Sequence, residues 1–358
     1  MNIAALRTVS ILVFFVCLGC GQFLTGQVKG KHASLHHDAT DATSEVALRH
    51  AEPTGCASCD AGVGSSCVRC CSPLTMHVDY LNWQATRSGL GVAILDPQGV
   101  GVPSAGDPIQ SLDLGNGGGV RAGIGMRTRT GWDLGFTYTH LSTNGRLDFA
   151  PGSNQVLALL SSPASGLTNA DSVVATGGVN LNVYDLEAGH WLHFCDSVSS
   201  RVSLGLRYAN IDQDLRAVYD GGAFSNGIVD APTQFEGFGG RVAGSVHWNM
   251  YRNLSLFGSL GISLLAGELQ SHRYEENFGT AVIDVSQTFE QVSPVMELAV
   301  GADWKNGPWN VAAGYELSSW LNAATSTDFV DNFHGGSIDN GATDIGFDGF
   351  FFCLVYNR

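Results

Sequence analysis

The sequence has little charge. Only 14% of its 358 residues are Asp, Glu, Lys or Arg, against roughly 25% in an average soluble domain. Positive charge is the scarcer kind: 18 Lys and Arg stand against 33 Asp and Glu, a formal net charge of −15. A nucleic-acid partner is thereby excluded, because phosphate binding needs a basic surface. After the first twenty or so residues the chain also lacks any run of 18 apolar residues. That excludes a helical membrane span in the mature chain, so any crossing has to use strands. What the chain does have is glycine, 46 residues of it.

The N-terminus reads as an export signal. Arg7 precedes an apolar run from Val9 to Leu18, and Gly19, Cys20 and Gly21 follow. A positive start, a short apolar core and a small-residue exit describe a cleavable secretory segment over residues 1–21. Cys20 is a weaker candidate for lipid modification. Residues 22–73 form a polar segment containing cysteines and histidines, without sustained periodicity. We read this segment as a linker, and residues 74–358 as the main domain.

From Leu74 onward, apolar residues alternate with small or polar ones. Val120, Ala122, Ile124 and Met126 oppose Arg121, Gly123, Gly125 and Arg127. Val202, Leu204, Leu206 and Tyr208 oppose Ser203, Gly205 and Arg207. The stretch from Arg241 to Leu265 carries the same pattern through a tight Tyr251–Asn253 turn. Period-two alternation predicts β-strands with one greasy face. Ten such segments recur, and their connections strictly interleave short and long. Short ones fall at Thr128–Gly131, Leu192–Ser200, Tyr251–Asn253 and Lys305–Pro308. Long ones span 84–119, 141–179, 210–236, 267–293 and 321–345, and they have room for strand extensions or an extra hairpin. The expected fold is therefore all-β: an up-and-down antiparallel transmembrane β-barrel of about 10–12 strands, with short periplasmic turns and long extracellular loops.

The faces support a barrel over a soluble sandwich. The non-apolar face is mostly Gly, Ala, Ser and Thr, which suits a crowded lumen. The greasy face would be an aggregation hazard in water and is at home in lipid. All seven tryptophans, Trp83, Trp132, Trp191, Trp248, Trp304, Trp309 and Trp320, fall at or near strand ends, as an interfacial aromatic girdle requires.

The blocks VDYLNWQA, GVRAGIGMRTRTGWDLGFTYTHL, YDLEAG, VSLGLRYANID, FEGFGGRVAGSVHW, SLFGSLGISLLAGE, VMELAVGADW and GYELSSWLN resemble, in matching order over about residues 75–356, the Legionella-type major outer-membrane protein family. The resemblance implies a pore-forming barrel in the cell outer membrane. One departure stands out: many such barrels end on an aromatic residue, whereas here Asn357 and Arg358 follow Tyr356.

Chemistry-bearing motifs are few. Cys56, Cys59, Cys67, Cys70 and Cys71 form two C-x-x-C pairs and one further cysteine. In an exported chain disulfides, within or between chains, lead; a zinc site has atypical spacing, and redox or lipid chemistry is a further alternative. The stretch Gly117–Ala122 loosely fits a dinucleotide fingerprint but enters a strand rather than a helix, so no cofactor is expected. No nucleophile stands in a triad-like context, so no enzyme is expected either. On the barrel register Arg121, Arg127, Arg207, Arg241, His247, Asp133, Asp185, Glu187, Glu297, Asp303 and Glu316 face the lumen. They predict a polar pore lining with little or mild cation preference. The expected function is passive, porin-like passage of ions and small solutes; the alternative is a closed structural or adhesive barrel acting through its loops. Expected partners are outer-membrane lipid and the barrel-assembly machinery, with a disulfide-linked or homo-oligomeric partner left open.

Overall fold

The computed structural model describes residues 74–97, 106–128, 130–152, 154–166, 168–326, 329 and 341–358. The signal segment, the linker and the five clustered cysteines lie outside the described residues. Ten long strands make a closed ring. They are β1 (Leu74–Arg87), β4 (Asn116–Arg127), β5 (Trp132–Phe149), β8 (Ser172–Cys195), β9 (Val198–Gly221), β11 (Thr233–Tyr251), β12 (Leu254–Asn277), β13 (Thr280–Asn306), β14 (Trp309–Thr325) and β15 (Ala342–Asn357). Each pairs antiparallel with its neighbour, and β15 closes on β1 from Thr75↔Asn357 to Arg87↔Ile345. Closure leaves no open seam in the lower wall, which a lipid environment demands.

One rim is built from tight turns. Asp196–Ser197, Arg252–Asn253 and Gly307–Pro308 are two-residue links, with positive φ at Arg252 and Gly307, the backbone hand that matches strand twist in hairpins. The connection expected over Leu192–Ser200 is in fact mostly strand, because β8 runs to Cys195 and β9 starts at Val198. At the other rim, two of the expected long loops are also strand. β12 and β13 continue as a single hairpin around Phe278–Gly279. β9 continues to Gly221 and turns into a short extra strand, β10 (Phe224–Asp230), which fills the gap above β11 and pairs with both β9 and β12. At 27 residues, β13 is about 90 Å of chain, roughly 70 Å tall at a tilt of ~40°. The wall therefore stands well above any bilayer.

A belt of exposed apolar side chains rings the lower wall: Val120, Ile124, Leu134, Phe136, Leu186, Leu204, Leu206, Val242, Ile262, Val300, Val311 and Leu354 among them. Trp132, Trp304 and Trp309 stand exposed on its lower margin, beside the tight turns. Trp248 lies on the same outer face, half-buried. Tyr138, Tyr184, Tyr208 and Phe238 sit side by side on its upper margin, in register across β5, β8, β9 and β11. Phe238 and Trp248 are ten positions apart on β11, about 25 Å of height at the usual tilt. Two aromatic rims at that spacing match a hydrocarbon core.

Two of the seven tryptophans do not join this girdle, and a third turns away from it. Trp83 and Trp320 are buried inside the barrel, and Trp191 points inward near the turn rim, ring to ring with His247 at 5.5 Å. The cause at Trp83 is parity. Leu81, Trp83 and Ala85 share the inner face of β1, and both residues paired with Trp83, Gly117 and Gly349, lack side chains. The indole therefore has room only toward the lumen.

A second, smaller sheet lies within the tall half. It consists of β2 (Gly91–Asp96), β3 (Ile109–Ser111), β6 (Gln155–Ala158) and β7 (Asn169–Ala170), in the order β3-β2-β6-β7. Its buried Val92, Ala93, Val156 and Ala170 share one apolar core with inward wall residues such as Leu141, Ala175, Ile211, Phe235, Leu265 and Ile345. The wall is recessed to admit it. Gly145 on the inner face of β5 lies where any Cβ would collide with the Asp113 carbonyl.

Candidate functional site

The lumen has two storeys. The lower one, inside the lipid belt, is ionic. Arg207 makes a bidentate pair with Asp185 (2.6 and 2.8 Å) and reaches Glu297 at 2.8 Å. Arg241 pairs with Glu187 at 2.6 Å and also with Glu297. Arg201 holds Asp133 at 2.6 Å and Glu187 at 3.3 Å. These residues form one unbroken chain from Asp133 to Asp185. Glu297 on β13 reaches β9 and β11, so the chain crosses the lumen as a chord instead of following the wall. A second chord joins Arg121 on β4 to Glu316 on β14 at 2.9 Å, with Asp79 at 3.5 Å. A third group, nearest the turns, sets Asp303 between His247 (3.6 Å) and Lys305 (3.8 Å).

Strand parity brings these residues together. Every member occupies an inward position, and small residues such as Gly205, Gly261, Ala243 and Ser259 alternate with them. The small residues leave a cavity of about 380 Å³ whose lining includes Asp79, Arg121, Asp185, Glu187, Arg207, Arg241, His247, Glu297, Asp303 and Glu316. Buried charges of this kind are held by partners, because an unpaired one costs several kcal/mol. The two buried tryptophans, Trp83 and Trp320, roof the ionic storey. The Trp83 ring lies 5.3 Å from the Arg121 guanidinium and the Trp320 ring 5.8 Å from that of Arg207. Indole faces stabilise such cations.

Of the eleven lumen residues expected from sequence, ten line this chamber or brace it; Asp133 does so through Arg201. Arg127 instead stands exposed at the turn rim. Sequence reasoning missed three members: Arg201, Asp79 and, beside Asp303 near the turns, Lys305. Arg201 directly follows what reads as a connection, and Asp79 lies on the first strand, where aromatic residues on both faces obscure the parity. The four paired arginines face six carboxylates across the two chords, a surplus of two negative charges. Among the described residues no group of three His, Cys, Asp or Glu is placed to hold a metal ion. Of the described cysteines, Cys195 is exposed and Cys353 half-buried.

The upper storey is apolar and filled. Leu181, Ile211, Leu215, Phe235, Leu265, Leu269, Val295, Ile345 and Phe347 point inward and pack against the small sheet. Two wall residues fix that sheet in place. The Tyr219 hydroxyl donates to the Val92 carbonyl at 2.6 Å and accepts from the Leu160 amide at 3.4 Å. The Glu275 carboxylate accepts from the Ser161 hydroxyl and from the Ser162 amide at 3.0 Å. Burial pushes the Tyr219 phenol above its ordinary value and lowers the neighbouring Arg273 guanidinium to about 10.

The chain was compared with known proteins. No curated protein matches it. Among solved structures, the outer membrane protease OmpT from Escherichia coli is similar at 12% identity with a TM-score of 0.49, covering 80% of this chain and 97% of that one. The toluene transporter TodX from P. putida is similar at 8% identity with a TM-score of 0.34, covering 80% and 90%. Ail, the attachment invasion locus protein of Yersinia pestis, is similar at 8% identity with a TM-score of 0.23, covering 80% and 99%. The profile of the family described as Legionella pneumophila major outer membrane protein precursor matches residues 70–357. That match covers the whole ten-stranded wall, and with the lipid-facing belt it makes this chain a β-barrel of the cell outer membrane and a member of the Legionella major outer membrane protein family.

Proposed function

We propose that this barrel is a narrow, porin-like pore that passes ions and small solutes passively, without catalysis. The observation carrying this reading is the lower storey: a chamber of about 380 Å³ spanned by charged chords and set within the lipid belt. A barrel serving only as a scaffold has no need of buried charge, since apolar filling of the same volume is commonly as stable or more so. The surplus of two carboxylates favours cations mildly. Passage is restricted, because the chords narrow the chamber and the upper storey is packed.

Lipid is the partner the belt suits, and the barrel-assembly machinery is the expected route of insertion. A second reading, a closed structural or adhesive barrel, draws its support from the apolar packing of the upper storey. Planar-bilayer recording of the purified full chain separates the two. The pore reading expects small, brief current steps with a reversal potential weakly on the cation side in a potassium chloride gradient. Protein that inserts as a heat-modifiable barrel yet never conducts overturns it and leaves the closed barrel.

A further inference from the structure

The pore reading leaves open what the tall upper wall is for. Besides smaller or wall-bonded polar groups such as Gln213, Thr233 and Ser293, its inner surface carries three large polar side chains that face the insertions: Tyr219 on β9, and Arg273 and Glu275 on β12. All three are buried to within 1% of completely. A buried carboxylate in an apolar storey is costly unless its lone pairs are used. Here they are used on the small sheet's connection, not on the wall. One Glu275 oxygen accepts the Ser161 hydroxyl and the other the Ser162 backbone amide. The Tyr219 hydroxyl bonds both insertions at once, through the Val92 carbonyl of the first and the Leu160 amide of the second. Arg273 faces a third connection, with its guanidinium 4.8 Å from the Phe329 ring. Thus segments from three different long connections converge on one patch of wall, held by a few directional contacts.

The rest of the seat is mostly non-directional. Ala93, Val156 and Ala170 meet the wall through apolar packing alone, and Val92 and Leu160 add to theirs only the two bonds to Tyr219. The segment's backbone link to the wall is light: Asp171 donates to the Asp220 carbonyl and Ala223 to that of Asn169, each at 2.9 Å. By contrast, neighbouring ring strands are joined by long ladders, such as the one from Thr233↔Ser271 to Tyr251↔Leu254 between β11 and β12. The small sheet is therefore held to the wall by shared apolar packing and few directional bonds.

We infer that the small sheet is a gate for the pore and that Glu275, with Tyr219, is the latch that keeps it shut. This rests on the pore reading. When the latch lets go, the four strands of the small sheet move off the wall and the ionic chamber below communicates with the loop side. The chamber itself, set by the chords, is unchanged, so the latch governs how often the pore opens and not what it passes.

The test uses the full chain in planar bilayers, with Glu275→Ala, Glu275→Gln and Tyr219→Phe. Glu275→Ala is expected to raise open probability about tenfold to a hundredfold, the worth of hydrogen bonds to a charged acceptor. Single-channel conductance and reversal potential should stay at wild-type values. Glu275→Gln keeps one acceptor oxygen and should fall between the two. Amide hydrogen exchange gives a second readout that needs no current: Glu275→Ala should speed exchange in 90–96 and 155–166 and spare β12 and β13. Wild-type current with unchanged open probability in Glu275→Ala and Tyr219→Phe, or exchange unchanged in those segments, overturns the latch. Absence of current in wild type and every variant overturns the pore reading beneath it, and the gate with it.

Discussion

Below the tyrosine rim the wall is apolar outside and ionic inside; above it the two faces trade character. On β9, Val202, Leu204 and Leu206 point outward to the belt. Past Tyr208 the apolar residues shift to the other parity: Ala209, Ile211, Leu215, Ala217 and Tyr219 point inward, while Asn210, Asp212, Asp214 and Arg216 face out. β12 repeats the change between Leu264, facing out, and Leu265 and Leu269, facing in. The strand geometry is continuous through the switch; only the solvent differs. Lipid surrounds the lower wall, so apolar groups go out and charge must be paired within. Water surrounds the upper wall, so it folds like an ordinary soluble protein around an apolar core. The height of the switch records where the bilayer ends.

The contrast can be broken at its ionic end first. Arg207→Ala leaves Asp185 without its bidentate partner and strips Glu297 of one of two. Removing one member of a buried pair costs about 3–5 kcal/mol, and the variant should lose its compact, heat-modifiable gel form at a clearly lower temperature. Unchanged heat resistance would mean that the chords are hydrated and dispensable. The outer face comes next. Leu204→Arg puts a charge in the belt at a cost of about 2–4 kcal/mol, read as poorer insertion into lipid vesicles. Asp214→Arg, on the same face of the same strand but above the rim, should insert like wild type. Equal damage from both would erase the boundary.

The upper core is weaker but still measurable. Tyr219→Phe strands the buried Leu160 amide and leaves the Val92 carbonyl only its bond from the Leu159 amide, a loss of about 1–3 kcal/mol, read as faster amide exchange at Val92 and Leu160. Its pH dependence has a definite sign. Burial holds the phenol above its ordinary value near 10, so its bonds are fully present below about pH 10. They are lost only as pH rises through the higher folded value. Alkaline titration followed by phenolate absorbance should show one tyrosine ionising after the others in wild type and none so late in the variant. Least of all, Arg146→Ala removes an exposed pair with Asp148 and should leave heat resistance unchanged; a shift there would show that stability does not reside in the interior.

The same switch explains what the sequence discloses and what it conceals. The lower wall is legible, because alternation keeps one parity from Val202 to Tyr208 or from Val242 to Met250, and each inward charge follows from counting. The upper strands read as loops because their alternation changes phase: YANIDQDLRAVYD is strand throughout, yet its apolar residues occupy the positions that were polar a turn earlier. Arg201 was hidden behind an overestimated turn. Trp83 and Trp320 were misplaced because nearness to a strand end does not disclose which face a residue occupies. The small sheet was invisible for a different reason. Its strands are two to six residues long and exist only because the wall above the rim offers them an apolar seat.

Single-channel dwell times bear most directly on the claim that the loop-side storey limits passage. Wild type should show only brief openings, and a chain carrying both Tyr219→Phe and Glu275→Ala should dwell open far longer at the same step size. Long, stable openings in wild type, indistinguishable from the double variant, would contradict it.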